Sequence, residues 1–240
     1  MIKELQLSSG DPLIFFSKLK KSERLVSLVT AGEWTVIAWD PSKTIGGNDV
    51  KILDHLSCEA VPFSRAGRRD WACLPAGRDE AGQAPFPSGW IGYISHDMGA
   101  QLLGISLKAK DDLRLPGLCF HRYDRAIAFR TSKAFAIGDD SWIEAIRTID
   151  RRPLRNPPPV PRLNFRPQMT KREYERGFRR VKQCIKDGDV YQLNFAQRFD
   201  AESACDRRVL FAQLARSHPA ACMSYFESDA VTLLSLSPET

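Results

Sequence analysis

The stretch IKDGDVYQLNFAQRF, residues 185–199, joins two kinds of backbone. Its first residues complete a helical pattern, and Asp187-Gly188 supplies the stop, because glycine enters left-handed geometry without steric cost. The remainder, DVYQLNFAQRF, alternates in the manner of a strand. Period two puts Gln192 and Asn194 on one face and Tyr191, Leu193 and Phe195 on the other. The polar pair either faces a cleft, where it would hydrogen-bond a substrate, or is satisfied by neighbouring backbone.

Upstream, TKREYERGFRRVKQCIKDG predicts a well-bounded helix. Thr170 followed by Glu173 matches a capping box, in which each residue satisfies a backbone N–H of the other. Tyr174, Phe178, Val181 and Ile185 share one face at spacings of four, three and four. Before it, five prolines between Pro153 and Pro161 exclude a helix interior or a central strand and predict an extended spacer. Downstream, a helix is expected near DRRVLFAQLARSH. ACMSYFE and AVTLLSLS then form a hairpin around Ser228-Asp229.

The first half reads as short strands and turns. SERLVSLVT and EWTVIAWD flank a reversal at Ala31-Gly32. DPSKTIGGND reads as a loop, and residues 61–88, rich in Gly, Pro and charge, as a mobile loop. GWIGYISHDMG is apolar and aromatic between glycines. LCFHRYDRAIAFRT reads as one strand, and DDSWIEAIRTIDRR as a short helix opening at Asp139 or Asp140. The expected class is α+β: mostly antiparallel sheets packed as a sandwich with flanking helices, incomplete at the C-terminus. The expected division is an N-terminal domain over 1–150, a Pro-rich linker over 151–169, and the start of a second domain over 170–240.

Charge and motifs narrow the function classes. The 240 residues carry a net charge of +6. Between Arg147 and Lys182 stand twelve Lys or Arg against Asp150, Glu173 and Glu175. This is either an anion-attracting surface or a solvated linker and helix face. No aromatic-rich or modular nucleic-acid signature accompanies it, so no nucleic-acid partner is expected. No apolar run is long enough for a membrane helix and no signal peptide is apparent, so a cytoplasmic protein is expected. The six cysteines form no C-x-x-C pair and have no zinc spacing to the four histidines, which predicts reduced thiols and no metal site in this chain. Phosphate-binding loops and nucleophile elbows are missing as well.

Two strings, IKDGDVYQLNFAQRF and LLSLSPE, resemble the chorismate-utilising enzymes, and SGWIGYISHDMG is similar to the corresponding segment of the aminodeoxychorismate synthase component I branch. The resemblance covers the whole chain, diffusely before Ser88 and closely from Lys171. It implies that Glu239 is an active-site carboxyl doing acid/base work on the hydroxyl leaving C4 of chorismate, a role that burial would favour by raising its pKa. The bland alternative is an exposed glutamate at a strand end. In that branch a lysine in a PIKGT-like string attacks ring C2, ammonia then yields 4-amino-4-deoxychorismate, and acidic residues hold Mg²⁺ against the substrate carboxylate. No such string occurs within the 240 residues. The resemblance therefore implies an N-terminal portion, inactive by itself, whose full-length form uses Mg²⁺ and a glutamine amidotransferase partner. Anthranilate synthase component I, or a non-catalytic docking scaffold, are the alternatives. The family's tryptophan pocket maps onto Glu33, Trp34 and Thr35, and onto Ala221, Cys222 and Met223. An Arg-Tyr-Ser type string has become Glu-Trp-Thr and a Pro-aromatic pair has become Ala-Cys, departures that argue against tryptophan binding here.

Overall fold

A computed structural model describes residues 2–31, 33–54, 89–107, 110–154 and 161–238. In chain order its first elements are β1 (Ile2–Leu5), α1 (Pro12–Ser17), β2 (Ser27–Ala31), β3 (Trp34–Ala38), β4 (Lys43–Gly47), β5 (Gly89–Ile94) and α2 (His96–Leu102). Then come β6 (Leu118–Tyr123), β7 (Ala126–Arg130), β8 (Lys133–Ile137), α3 (Asp140–Asp150), β9 (Arg166–Pro167) and α4 (Lys171–Asp187). The last are β10 (Phe199–Asp200), α5 (Arg207–Ser217), β11 (Cys222–Glu227) and β12 (Thr232–Ser237). They fall into two compact units, one of Met1–Pro157 with Arg207–Thr240, the other of Pro158–Asp206.

The larger unit is built on a seven-stranded antiparallel sheet ordered β1-β8-β7-β3-β2-β11-β12. Alternation along its strands sends side chains to two different cores. On one face Leu28, Ile37, Ile127, Phe129 and Tyr225 meet apolar residues of α1, α3 and α5. Phe16 and Phe211, both fully buried, pack edge-on and tilted around Tyr225 at 5.0 and 5.3 Å between ring centres. On the other face Val36, Ala38, Ala128 and Ile137 pack with Tyr123 of a three-stranded sheet ordered β4-β6-β5. Burial of each such large side chain contributes about 1.5–3 kcal/mol. The sandwich of antiparallel sheets with flanking helices is therefore the architecture found. The helix starts follow local chemistry: Asp11, Ser95, Asp139 and Thr170 each cap a helix with a side-chain oxygen.

Several local expectations give way. The segment 118–131 is two strands in two sheets. β6 pairs with β4 and β5, whereas β7 pairs with β3 and β8. The chain bends at Asp124-Arg125, and the Tyr123 hydroxyl hydrogen-bonds Ser27 Oγ of the large sheet at 2.8 Å. Alternation that continues through a bend does not report a change of sheet. DPSKTIGGND contains β4 instead of being all loop. Its glycines serve close packing: a Cβ on Gly46 would lie 3.3 Å from the Leu118 carbonyl oxygen. The strand expected over 189–199 is reduced to Phe199–Asp200, which pairs with Arg166–Pro167. A strand needs a neighbour, and among the described residues no strand pairs with 190–197; the contact of Gln168 N–H with the Arg198 carbonyl, 2.9 Å, only extends the short β9–β10 pairing. The stretch 170–240 is divided, since β11 pairs with β2 and joins the larger unit. The loop expected over 61–88 lies outside the described residues.

Candidate functional site

The β11–β12 hairpin forms as its alternation predicts, with Cys222 opposite Ser237 and Glu227 opposite Thr232. Its turn closes through Ser228 N–H to the Val231 carbonyl at 2.8 Å. β12 leads to Pro238. Glu239, assigned the acid/base role, lies outside the described residues.

At the start of β11 two of the positions matched to the tryptophan pocket, Ala221 and Met223, are tied to β2 by a residue that sequence reading missed. Thr30 Oγ1 accepts from Met223 N–H at 2.6 Å and stands 3.1 Å from the carbonyl oxygens of Ala221 and Met223, to which it can donate. Thr35 lies opposite Thr30 in the β2–β3 ladder. Thr35 and Met223 thus belong to the helix-bearing face of the sheet. Trp34 alternates to the opposite face, where its ring lies 5.6 Å from Phe135 and 5.5 Å from the Arg130 guanidinium. Arg130 also pairs with exposed Glu33 at 3.1 Å. Cys222 is half-buried and Ala221 exposed. Trp34 and Cys222 therefore lie on one face of the sheet and Thr35 and Met223 on the other, with Glu33 and Ala221 exposed beyond the strand ends.

The far end of β11 carries a dense polar network. Glu227 receives Arg208 Nε at 2.7 Å, an Arg208 terminal nitrogen at 2.8 Å, the Tyr225 hydroxyl at 2.5 Å and Val26 N–H at 3.1 Å. Burial works to raise the Glu227 carboxyl, but these bonds, led by Arg208, outweigh it and hold the pKa below the ordinary glutamate value. Arg208 also donates to the carbonyls of Lys20 and Glu23. The Glu23 carboxylate is held bidentately by Arg152, both contacts 2.9 Å. Behind Glu227 lies buried His121. One ring nitrogen meets the Glu227 carbonyl at 2.8 Å, the other Thr44 Oγ1 at 2.9 Å, and the ring stacks on Phe226 at 4.8 Å. Burial lowers the His121 pKa, against the opposing pull of its bond to the Glu227 carbonyl. An ionised carboxylate with this many donors and a neutral imidazole with both nitrogens engaged are structural ties, not poised acid/base groups. In sequence these residues stood alone; the β2–β11 ladder brings Val26 to Glu227, while α5 delivers Arg208 and β6 delivers His121.

The smaller unit holds α4, β9 and β10. The capping box is present, with Glu173 N–H donating to Thr170 Oγ1 at 3.3 Å and Thr170 N–H to the Glu173 carboxylate at 2.8 Å. Gly188 ends α4 at φ 80°. Phe195 stacks on Tyr174 at 5.1 Å and lies over Gly177, where a Cβ would meet the ring. Gln192 and Asn194, the tentative substrate contacts, are both exposed. Among the described residues no group of three or more His, Cys, Asp or Glu is arranged to hold a metal ion. Nor is any described helix long and apolar enough to cross a membrane.

Residues 13–240 match the family described as chorismate binding enzyme. The chain is 24% identical over 262 residues to anthranilate synthase component 1 of Lactococcus lactis, covering 99% of this chain and 57% of the relative. It is 25% identical over 243 residues to aminodeoxychorismate synthase component 1 of Salmonella typhimurium, covering 97% and 50%. Among solved structures, anthranilate synthase component I from Streptococcus pneumoniae superposes with a TM-score of 0.64 at 19% identity, over 95% of this chain and 55% of that one. The last likeness concerns the fold. The chain spans about half the length of the curated relatives it matches.

Proposed function

The chain belongs to the chorismate binding enzyme family, and from that premise we propose that it forms part of an enzyme that aminates chorismate to 4-amino-4-deoxychorismate. The observation carrying this reading is the segment GWIGYISHDMG, which the fold uses as β5 and the start of α2. Its internal glycine answers a packing need, since a Cβ on Gly92 would collide with the backbone of Cys119 and Phe120 on β6. In this reading Glu239 protonates the departing C4 hydroxyl, Gln192 and Asn194 contact substrate, and a glutamine amidotransferase supplies ammonia. Mg²⁺ would neutralise the substrate carboxylate in the complete enzyme. Among the described residues no group of three or more His, Cys, Asp or Glu is arranged to hold that ion.

The second reading is anthranilate formation. It is favoured by the match to the Lactococcus relative, which extends over nearly the whole chain. The 240 residues alone are expected to be inactive in either case. The test joins this chain to the portion of the Salmonella relative with which it does not align and supplies chorismate, ammonia and Mg²⁺. Aminodeoxychorismate is the expected product; anthranilate selects the second reading. A folded fusion that makes neither overturns both. In an active fusion Glu239→Gln should lower kcat by about a hundred- to ten-thousand-fold with KM little changed. A change within about threefold would remove Glu239 from the chemistry.

A further inference from the structure

α4 carries an apolar stripe that its own unit leaves largely uncovered. Phe195 shields one flank, at Tyr174 and Gly177. On the other flank Phe178 is 48% and Ile185 42% exposed, and no residue of the helix is buried. Leu193 and Phe199 of the same unit are exposed as well. A helix of this length draws most of its stability from packing its apolar face, and an apolar cluster left on a surface marks an interaction site. Lysines border the stripe. The Lys182 ammonium lies 5.8 Å from the centre of the Phe178 ring, and Lys171 stands two turns before Phe178 on the same side.

The occupant follows from length and charge. The relatives contain about as much chain again as this one spans. A second copy of α4 is disfavoured, because residues 171–187 hold seven Lys or Arg against three acids and like charges would face each other. We propose that the face centred on Phe178 and Ile185 docks the part of the chorismate binding fold that this chain does not span, whether carried on the same polypeptide or on another. The docking patch is apolar and rimmed by carboxylates that meet Lys171 and Lys182. This rests on family membership and not on which product forms.

The test mixes the purified 240-residue chain with the separately produced non-aligning portion of the Salmonella relative and, in a second arm, that of the Lactococcus relative. Sedimentation and hydrogen exchange are read without substrate, so the result is independent of activity. A one-to-one complex is expected in at least one arm. It should slow exchange across residues 174–185 by about tenfold or more and weaken as salt rises. Phe178→Glu and Ile185→Glu should abolish the complex while leaving exchange in β2, β3 and β7 unchanged. Four results would overturn the proposal. These are no complex in either arm, a complex indifferent to both substitutions, protection of α4 by self-association, and α4 exchange in the lone chain already as slow as in β3.

Discussion

Phe16 and Phe178 are the same side chain on two helices, and they sit at opposite extremes. Phe16 on α1 is fully buried between Phe211 and Tyr225. Phe178 on α4 is 48% exposed, although α4 is the longer helix and has the more complete cap. Local signals decide where a helix starts and stops. The partner surface decides what its apolar face is worth.

The largest expected effect lies in the buried member of this pair. Phe16→Ala should lower the unfolding free energy of the larger unit by about 3–5 kcal/mol, measured by denaturant unfolding followed through tryptophan fluorescence. Phe178→Ala should change it by less than about 0.5 kcal/mol. Equal losses would show that the contrast between the helices does not exist.

A smaller loss is expected at the polar tie of the larger unit. Glu227→Gln leaves the Arg208 guanidinium with a weakened partner in a site where both side chains are mostly covered, 14% and 18% exposed. A loss of about 2–3 kcal/mol at neutral pH is expected. The sign of the pH dependence follows from the shifts. Glu227, Glu23 and Asp150 are all held below their ordinary values. Their contribution is complete above the unfolded carboxylate values of 4.5 and 3.8 and is lost as pH falls through the lower folded values. His121, whose pKa is lowered from 6.5, acts earlier. Below that value the unfolded chain takes up a proton that the folded chain resists, so stability declines with acidity. Melting temperature should therefore fall in two stages on acidification. Glu227→Gln should shrink the second stage, and an unchanged acid profile would refute the tie.

The smallest effect isolates α4. Thr170→Ala removes the capping box and should cost about 1 kcal/mol of local helix stability. It should speed exchange in the first turn of α4 while leaving the sheet of the larger unit unchanged. Propagation into that sheet would mean that the two units unfold together.

The residues alone set the boundaries of α3 and α4 and the β2–β3 and β11–β12 hairpins, because caps, stops and turn chemistry act within a few positions. Asp139, Thr170 and Gly188 do at their ends of α3 and α4 what their chemistry predicts, and the β2–β3 and β11–β12 reversals fall where alternation breaks. Family membership was legible for the same reason, being written in contiguous strings. Only the tertiary structure decided the rest. Whether 118–131 is one strand or two depends on which sheets receive it, and whether 189–199 is a strand depends on a neighbour to pair with. The separation of Trp34 from Met223 follows from which face of the shared sheet each occupies. The meeting of Thr30 with Met223, and of Val26 with Glu227, requires β11 to lie beside β2, although about two hundred residues separate Val26 from Glu227. Local chemistry sets what each segment can do, and long-range pairing sets what it faces.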